Sequence, residues 1–221
     1  MNTTNNYPKS ENRGTIRKSL LTLLMIAMLT TLAFSQKIKQ DSTYRKFYVG
    51  SSAFILFNLN TNDPNAPDFA QLNIGYRITP KDVISIEAKT WKYGWPLGIP
   101  WGPSKTAPEE KYPGYAREFG IGIVYQRFLW KGAFASIDAG NMFVKYMDEN
   151  NKHIQNGYQL FMTYRLGYHF QFFKNRFFIE PSISMTHWPI KTNVPESFAT
   201  LENKWPNYFL VEPGLHFGVK F

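Results

Sequence analysis

Near the C-terminus every second position is apolar: Phe209, Val211, Pro213, Leu215, Phe217, Val219 and Phe221. Between them stand Glu212, Gly214, His216, Gly218 and Lys220. A period of two marks a β-strand whose two faces meet different surroundings. The rhythm recurs in Ala70, Leu72, Ile74, Tyr76 and Ile78, set against Gln71, Asn73, Gly75 and Arg77. It recurs again between Tyr158 and Phe170, where Gln159, Thr163, Arg165, Gly167 and His169 take the other face. Eight strands are predicted, over 46–59, 69–79, 82–93, 115–129, 132–147, 157–173, 176–188 and 207–221. The fifth loses its phase near Asn141, which predicts a bulge. Pro181 and Pro213, each preceded by a glutamate, predict breaks in the hydrogen-bond ladder.

A soluble sheet would turn the apolar face inward. Here the opposite face carries charges, histidines and glycines, so the economical solution is an inverted barrel with apolar side chains outside and polar ones in the lumen. The connections alternate in length. Residues 79–81, 130–132 and 174–176 are tight turns, whereas 60–68, 94–114, 148–156 and 189–206 are long. Short turns on one side and long loops on the other fit an outer-membrane barrel with periplasmic turns and external loops. The predicted fold class is therefore all-β: an eight-stranded up-and-down antiparallel transmembrane β-barrel over 46–221. The opposite phase, a soluble lipocalin-like periplasmic carrier, would leave Arg165, Glu212 and Lys220 outside. Trp91, Trp95, Trp101 and Trp188 near the long loops, and Trp130 at a short turn, are expected to form two interfacial belts.

The segment before the first strand reads as an export signal. Lys9, Arg13, Arg17 and Lys18 precede the mostly apolar run from Ser19 to Phe34, and Ala33 and Ser35 place small residues before Gln36. Cleavage is expected after Ser35, leaving residues 36–45 as a short periplasmic segment. The run is shorter than the ~20 apolar residues of a spanning helix and is interrupted by threonines. The chain has no cysteine, which excludes disulfides, thiolate metal sites and cysteine nucleophiles. A formal charge of +9 would suit nucleic acid. The basic residues are dispersed and the chain is exported, so that partner is not expected. A mean hydropathy of −0.34 is compatible with a membrane barrel, in which every second strand residue faces a polar lumen.

The strand rhythm, the Ile179-Glu180-Pro181 and Val211-Glu212-Pro213 patterns and the terminal strand Val211–Phe221 resemble the small outer-membrane β-barrel superfamily that includes OmpX and the OmpA membrane domain. The Ser35/Gln36 junction is similar to signal cleavage sites common in Bacteroidetes. The resemblance implies an outer-membrane address, contact with membrane lipids and lipopolysaccharide, and recognition of Phe221 by the outer-membrane assembly machinery. It implies no particular activity.

Candidate chemistry lies in three places. The lumen is expected to hold Arg77, Glu87, Lys89, Glu118, Asp138, Arg165, Glu180 and Glu212, with Lys220, His169 and His216. The simplest reading is a filled polar lumen in which these groups pair, because an eight-stranded barrel is only wide enough for side chains to fill it. The loop 94–114 carries Trp95, Trp101, Tyr112 and Tyr115 among prolines, and Trp205 stands in the loop 189–206. Such an aromatic surface suits an external binding site, or a lid over the barrel mouth. His187 has Ser182, Ser184 and Thr186 nearby and is the weak candidate for acyl-transfer or lipid-hydrolase chemistry, although Pro189 stands where a lipid deacylase of this architecture has serine. His153 beside Asp148 and Glu149 reads as a solvated loop, and neither metal nor cofactor is expected. The favoured function is a non-enzymatic barrel acting in envelope integrity or surface binding, with a lipid-modifying enzyme as the alternative.

Overall fold

A computed structural model describes residues 45–59, 67–98 and 102–221. The segment read as a signal peptide, nearly all of 36–45, and Trp101 lie outside the described residues. Nine strand segments form: β1 (Phe47–Ser52), β2 (Ala70–Arg77), β3 (Asp82–Tyr93), β4 (Tyr115–Trp130), β5 (Ala133–Met147), β6 (His153–Tyr168), β7 (Phe170–Phe172), β8 (Phe177–Thr192) and β9 (Tyr208–Lys220). Sequential neighbours pair antiparallel from β1 to β6, β8 pairs with β9, and β9 closes on β1. Both β6 and β7 pair with β8, so they are one strand interrupted at His169. The result is a closed ring with eight strand positions, as the periodicity predicts.

The phase is the inverted one. Ile86, Ile121, Ile123, Leu166 and Ile183 point outward, and Ile121 is 62 % exposed. Glu87, Glu118, Asp138 and Glu180 point inward, and Glu118 is 0 % exposed. Successive strand residues face opposite sides, so one register choice fixes every side chain. The lipocalin-like phase is thereby overturned.

Three local expectations change. The first strand ends at Ser52, and Ala53–Leu59 is a 3-10 helix. Its Ala-Phe-Ile-Leu-Phe run is continuously apolar rather than alternating. Phe54 turns in against Phe69 while Leu56 stays exposed. Asn141 causes no bulge, because β5 stays in register with β4 and β6 through it. The phase blurs in sequence because Phe134, Met142, Val144 and Tyr146 are all buried on the inner face. Trp91 and Trp188 are also inside, 7 % and 3 % exposed, and not in an outer belt. Among the described tryptophans, only Trp130 projects outward in the manner of a belt residue, at a tight turn.

The prolines coincide with breaks. Pro181 pairs with Leu215 on one side, and on its other side lies the His169 interruption. A residue without an N–H thus sits where the ladder is already open. Before Pro213, Ser184 faces Glu212 while Thr186 faces Phe209, so β9 carries an extra residue. Val211, with φ of 62°, accommodates that bulge.

The narrow lumen also needs glycine beside large rings. Tyr48 and Gly75 are register partners. A Cβ on Gly75 would overlap the Tyr48 ring, which lies directly over the glycine backbone.

Candidate functional site

The barrel interior is organised in layers from the tight-turn end to the long-loop end. At the turn end Lys220 Nζ donates to His169 Nε2 at 2.7 Å and to Gln171 Oε1 at 3.0 Å. An ammonium only donates, so His169 Nε2 accepts and Nδ1 carries the proton. Nδ1 then donates to Glu180 Oε1 at 2.6 Å, which also accepts from Gln126 at 2.8 Å. Arg77 lies 4.7 Å over the Phe128 ring.

In the middle layer Lys89 bridges Glu87 at 2.8 Å and Asp138 at 3.6 Å, and its ammonium sits 4.0 Å from the Phe161 ring centroid. Asn73 and Gln71 donate to Glu87 Oε2 at 2.9 and 2.7 Å. Arg165 donates to His216 Nε2 at 2.8 Å, and Thr186 donates to Glu212 Oε2 at 2.6 Å. Nearer the loops, Glu118 accepts from Tyr93 at 2.5 Å and from Gln159. Most of these lumen charges therefore have an ion-pair or hydrogen-bond partner. Burying charge is tolerable only with such partners.

The lumen is not filled, however. A cavity of about 350 Å³ opens beside the middle layer. Its polar wall includes Glu87, Lys89, Asp138, Arg165 and Glu212, and its apolar wall includes Phe54, Phe57, Phe69, Trp91 and Phe161. Behind this wall Asp138 Oδ1 and Trp91 Nε1 are buried without a hydrogen bond, and Glu87 Oε1 has only its ion pair with Lys89. Sequence reasoning does not find the aromatic wall. The signal is present, because Trp91, Phe161 and Trp188 occupy the inward phase of β3, β6 and β8, where the neighbouring inward residues are polar.

Rings roof the cavity. Phe69, Trp91, Met142, Phe161 and Trp188 form a buried cluster with Leu97, and Phe54, Tyr93 and Trp205 pack against it. A second cluster joins Tyr112, Val144 and Tyr146 to Phe198 of a short helix, Glu196–Glu202. The two long loops are thereby locked together.

This changes the reading of the aromatic loop. Tyr112 is 1 % exposed and packs 4.6 Å from Phe198, so it is a lid anchor and not a surface contact. Burial, with the Glu202 carboxylate beside it, pushes its phenol well above the ordinary value. Trp95 donates its indole N–H to Pro108 O at 3.1 Å, and Trp205 donates to Glu110 Oε2 at 2.5 Å. Tyr115 donates to Asn151 Oδ1 at 3.0 Å. The polar atoms of these residues are committed to contacts within and between the long loops, and only their ring surfaces remain available.

The acyl-transfer grouping does not assemble. His187 takes the outward phase of β8, whereas Ser182, Ser184 and Thr186 face the lumen. Ser184 and Thr186 both donate to Glu212, on its carbonyl and its carboxylate. Alternation along a strand separates what sequence proximity suggested. In the 148–156 loop, Asp148 Oδ1 accepts from the backbone of Asn150 and Lys152, and His153 pairs with Asn156 at 2.9 Å. Phe221 ends the chain exposed, with its backbone N–H bonded to Phe47 O at 2.8 Å.

No family model matches the chain, and no curated protein matches it. Among solved structures, the chain is similar to the crystal structure of a major outer membrane protein from Thermus thermophilus, with a TM-score of 0.46 and 10% sequence identity over 80% of this chain and 98% of that one.

Proposed function

We propose that the protein is an integral outer-membrane β-barrel of the Gram-negative envelope, non-enzymatic, that serves in envelope integrity or binding. The observation that carries the reading is the closed ring of outward Ile, Leu and Phe side chains around an interior of charged groups. In water this arrangement would expose a large apolar surface while burying charge, both unfavourable. In a bilayer the apolar surface meets lipid instead. β4 has 16 residues, a contour of roughly 50 Å at ~3.3 Å per residue. Even tilted by ~40°, it exceeds the ~25 Å apolar band of an outer-membrane barrel.

The long-loop end is the external face in this reading, and the lid is a rigid surface on it. Lys204 bridges Glu110 at 3.0 Å and pins the two loops to each other, and Lys191 bridges Glu202 at 2.5 Å within the 189–206 loop. Trp95 and Trp205, partly exposed on this lid, offer stacking surface to an external partner. The exposed aromatic Phe221 is the proposed signal to the assembly machinery, and export through a cleaved segment before residue 36 completes the address.

The test is fractionation of expressing cells, followed by gel electrophoresis with and without boiling. A membrane-fraction protein whose unheated band migrates differently supports the reading. A soluble protein with one heat-independent band overturns it.

A further inference from the structure

The cavity extends to the barrel wall. β1 accompanies β9 from Lys220 to His216 and β2 from Tyr76 to Asn73, and then ends at Ser52. β9 continues to Tyr208, and β2 to Ala70, without a β1 neighbour among the described residues. The 3-10 helix that replaces β1 is fastened to the β2 side: Asn58 accepts from Phe69 N at 2.7 Å and donates to Phe69 O at 2.6 Å. Beside β9, on the loop half of the barrel, the wall is therefore continued by this helix and not by a hydrogen-bonded strand.

The lining of the cavity shows the consequence. Pro213 and Leu215 have the outward phase of β9, and Leu215 is 43 % exposed. Phe57 on the 3-10 helix is 44 % exposed. All three line the same cavity as Glu87 and Asp138. In a continuous barrel wall a side chain meets either the lumen or the outside. Residues that meet both mark an opening through the wall.

We propose that this seam is a lateral portal through which a small amphiphile dissolved in the membrane enters the lumen cavity. This rests on the reading of the chain as a membrane barrel. The apolar body of the ligand lies among Phe54, Phe57, Phe69, Trp91 and Phe161. Its head reaches the polar wall beside Glu87, Asp138 and Glu212. The fixed charges on that wall are three carboxylates, Glu87, Asp138 and Glu212, against the two cations Lys89 and Arg165. That balance selects an amine or hydroxyl head over a carboxylate or phosphate. A volume of about 350 Å³ is at the low end for ligand pockets, ~300–1,000 Å³, and suits a single-chain molecule but not a whole phospholipid.

The experiment uses the full barrel in lipid nanodiscs, with dodecylamine, dodecanol and dodecanoate as probes and the unboiled gel shift as the check of folding. Binding is expected to weaken in the order amine, alcohol, carboxylate, with the amine at least tenfold tighter than the carboxylate. Asp138→Asn, which keeps the shape, is expected to abolish the advantage of the amine over the alcohol. Because the chain has no cysteine, Leu215→Cys can be labelled uniquely with a bulky thiol-cleavable reagent at the portal. Labelling is expected to slow amine entry at least tenfold, and reductant to restore it. A barrel that shows the gel shift but binds none of the probes, or prefers the carboxylate, overturns the site. Tight binding that ignores both the label and Asp138→Asn overturns the portal. Loss of the gel shift in the unmodified chain would overturn the membrane reading instead.

Discussion

Tyr112 donates its phenolic hydrogen to Glu202 Oε1 at 2.8 Å, joining loops 90 residues apart in sequence. Beneath that bond the Tyr112 ring packs at a tilt against Phe198, which is fully buried. The lid thus rests on a small hydrophobic cluster in which Tyr112 and Phe198 pack on Val144 and Tyr146 of β5, apart from the hydrogen-bonded ladders that close the ring, and it is expected to open without the barrel unfolding. Truncating a buried phenylalanine costs ~3–5 kcal/mol, so Phe198→Ala should raise proteolytic cleavage in the 189–206 loop by at least ~100-fold, because cleavage there follows the local opening equilibrium. The unboiled gel shift should persist. Limited proteolysis of the folded protein checks it; protection equal to wild type would show that the lid does not depend on this core.

Glu110 links the lid to acid. Hydrogen bonds from Lys204 and Trp205 hold its carboxyl below the ordinary value of 4.5. A depressed folded-state pKa gives stability that is present above the ordinary value and is lost as pH falls through the folded one. The Trp205 indole N–H resonance should therefore be constant from pH 7 to pH 5 and move upfield as pH falls through the depressed value. Glu110→Gln should remove that transition. A resonance that titrates near pH 6 in both proteins would rule the assignment out.

Charge placed on the outside distinguishes a membrane barrel from a soluble one. Ile121→Lys lies at an exposed position, where a soluble protein would change by ~0.5 kcal/mol or less. At mid-bilayer the same change should cost ~2–4 kcal/mol. Urea or guanidinium titration of folding into vesicles measures it, and a neutral result would argue that position 121 does not face lipid.

Gly75→Ala should cost ~1–3 kcal/mol, as overpacking does, because the new methyl must displace the Tyr48 ring. Tyr48→Ala in the same chain should relieve much of that clash, giving a non-additive double-mutant cycle. Simple additivity of the two changes would mean that the ring does not lie over the glycine.

Much of this architecture is legible in the chain. Period two assigns the faces of β2, β6 and β9, and the alternation of short and long connections assigns the topology. The failures share one cause. Alternation identifies which side a residue faces, but not what occupies that side. Trp91, Phe161 and Trp188 have the lumen phase, yet they sit where the interior is roofed by rings, so apolar character alone points them the wrong way. The end of β1 is invisible to the same rule, because Ala53–Leu59 opens on a continuous apolar run, which carries no phase. The loop aromatics can be recognised as rigid surface, but whether they face solvent or each other depends on Phe198 and Glu202, far away in sequence.

The short first strand also has a mechanical meaning. β5 and β6 zip together from Ala133 to Met147, whereas β1 holds β9 only from Tyr48 to Ser52 and β2 only from Phe47 to Gly50. A ring under tension parts at its shortest joins. The two seams that flank the first strand are therefore where heat, denaturant or a pulling force would unroll this cylinder into an open sheet, and where its amide protons would be the first to exchange with solvent.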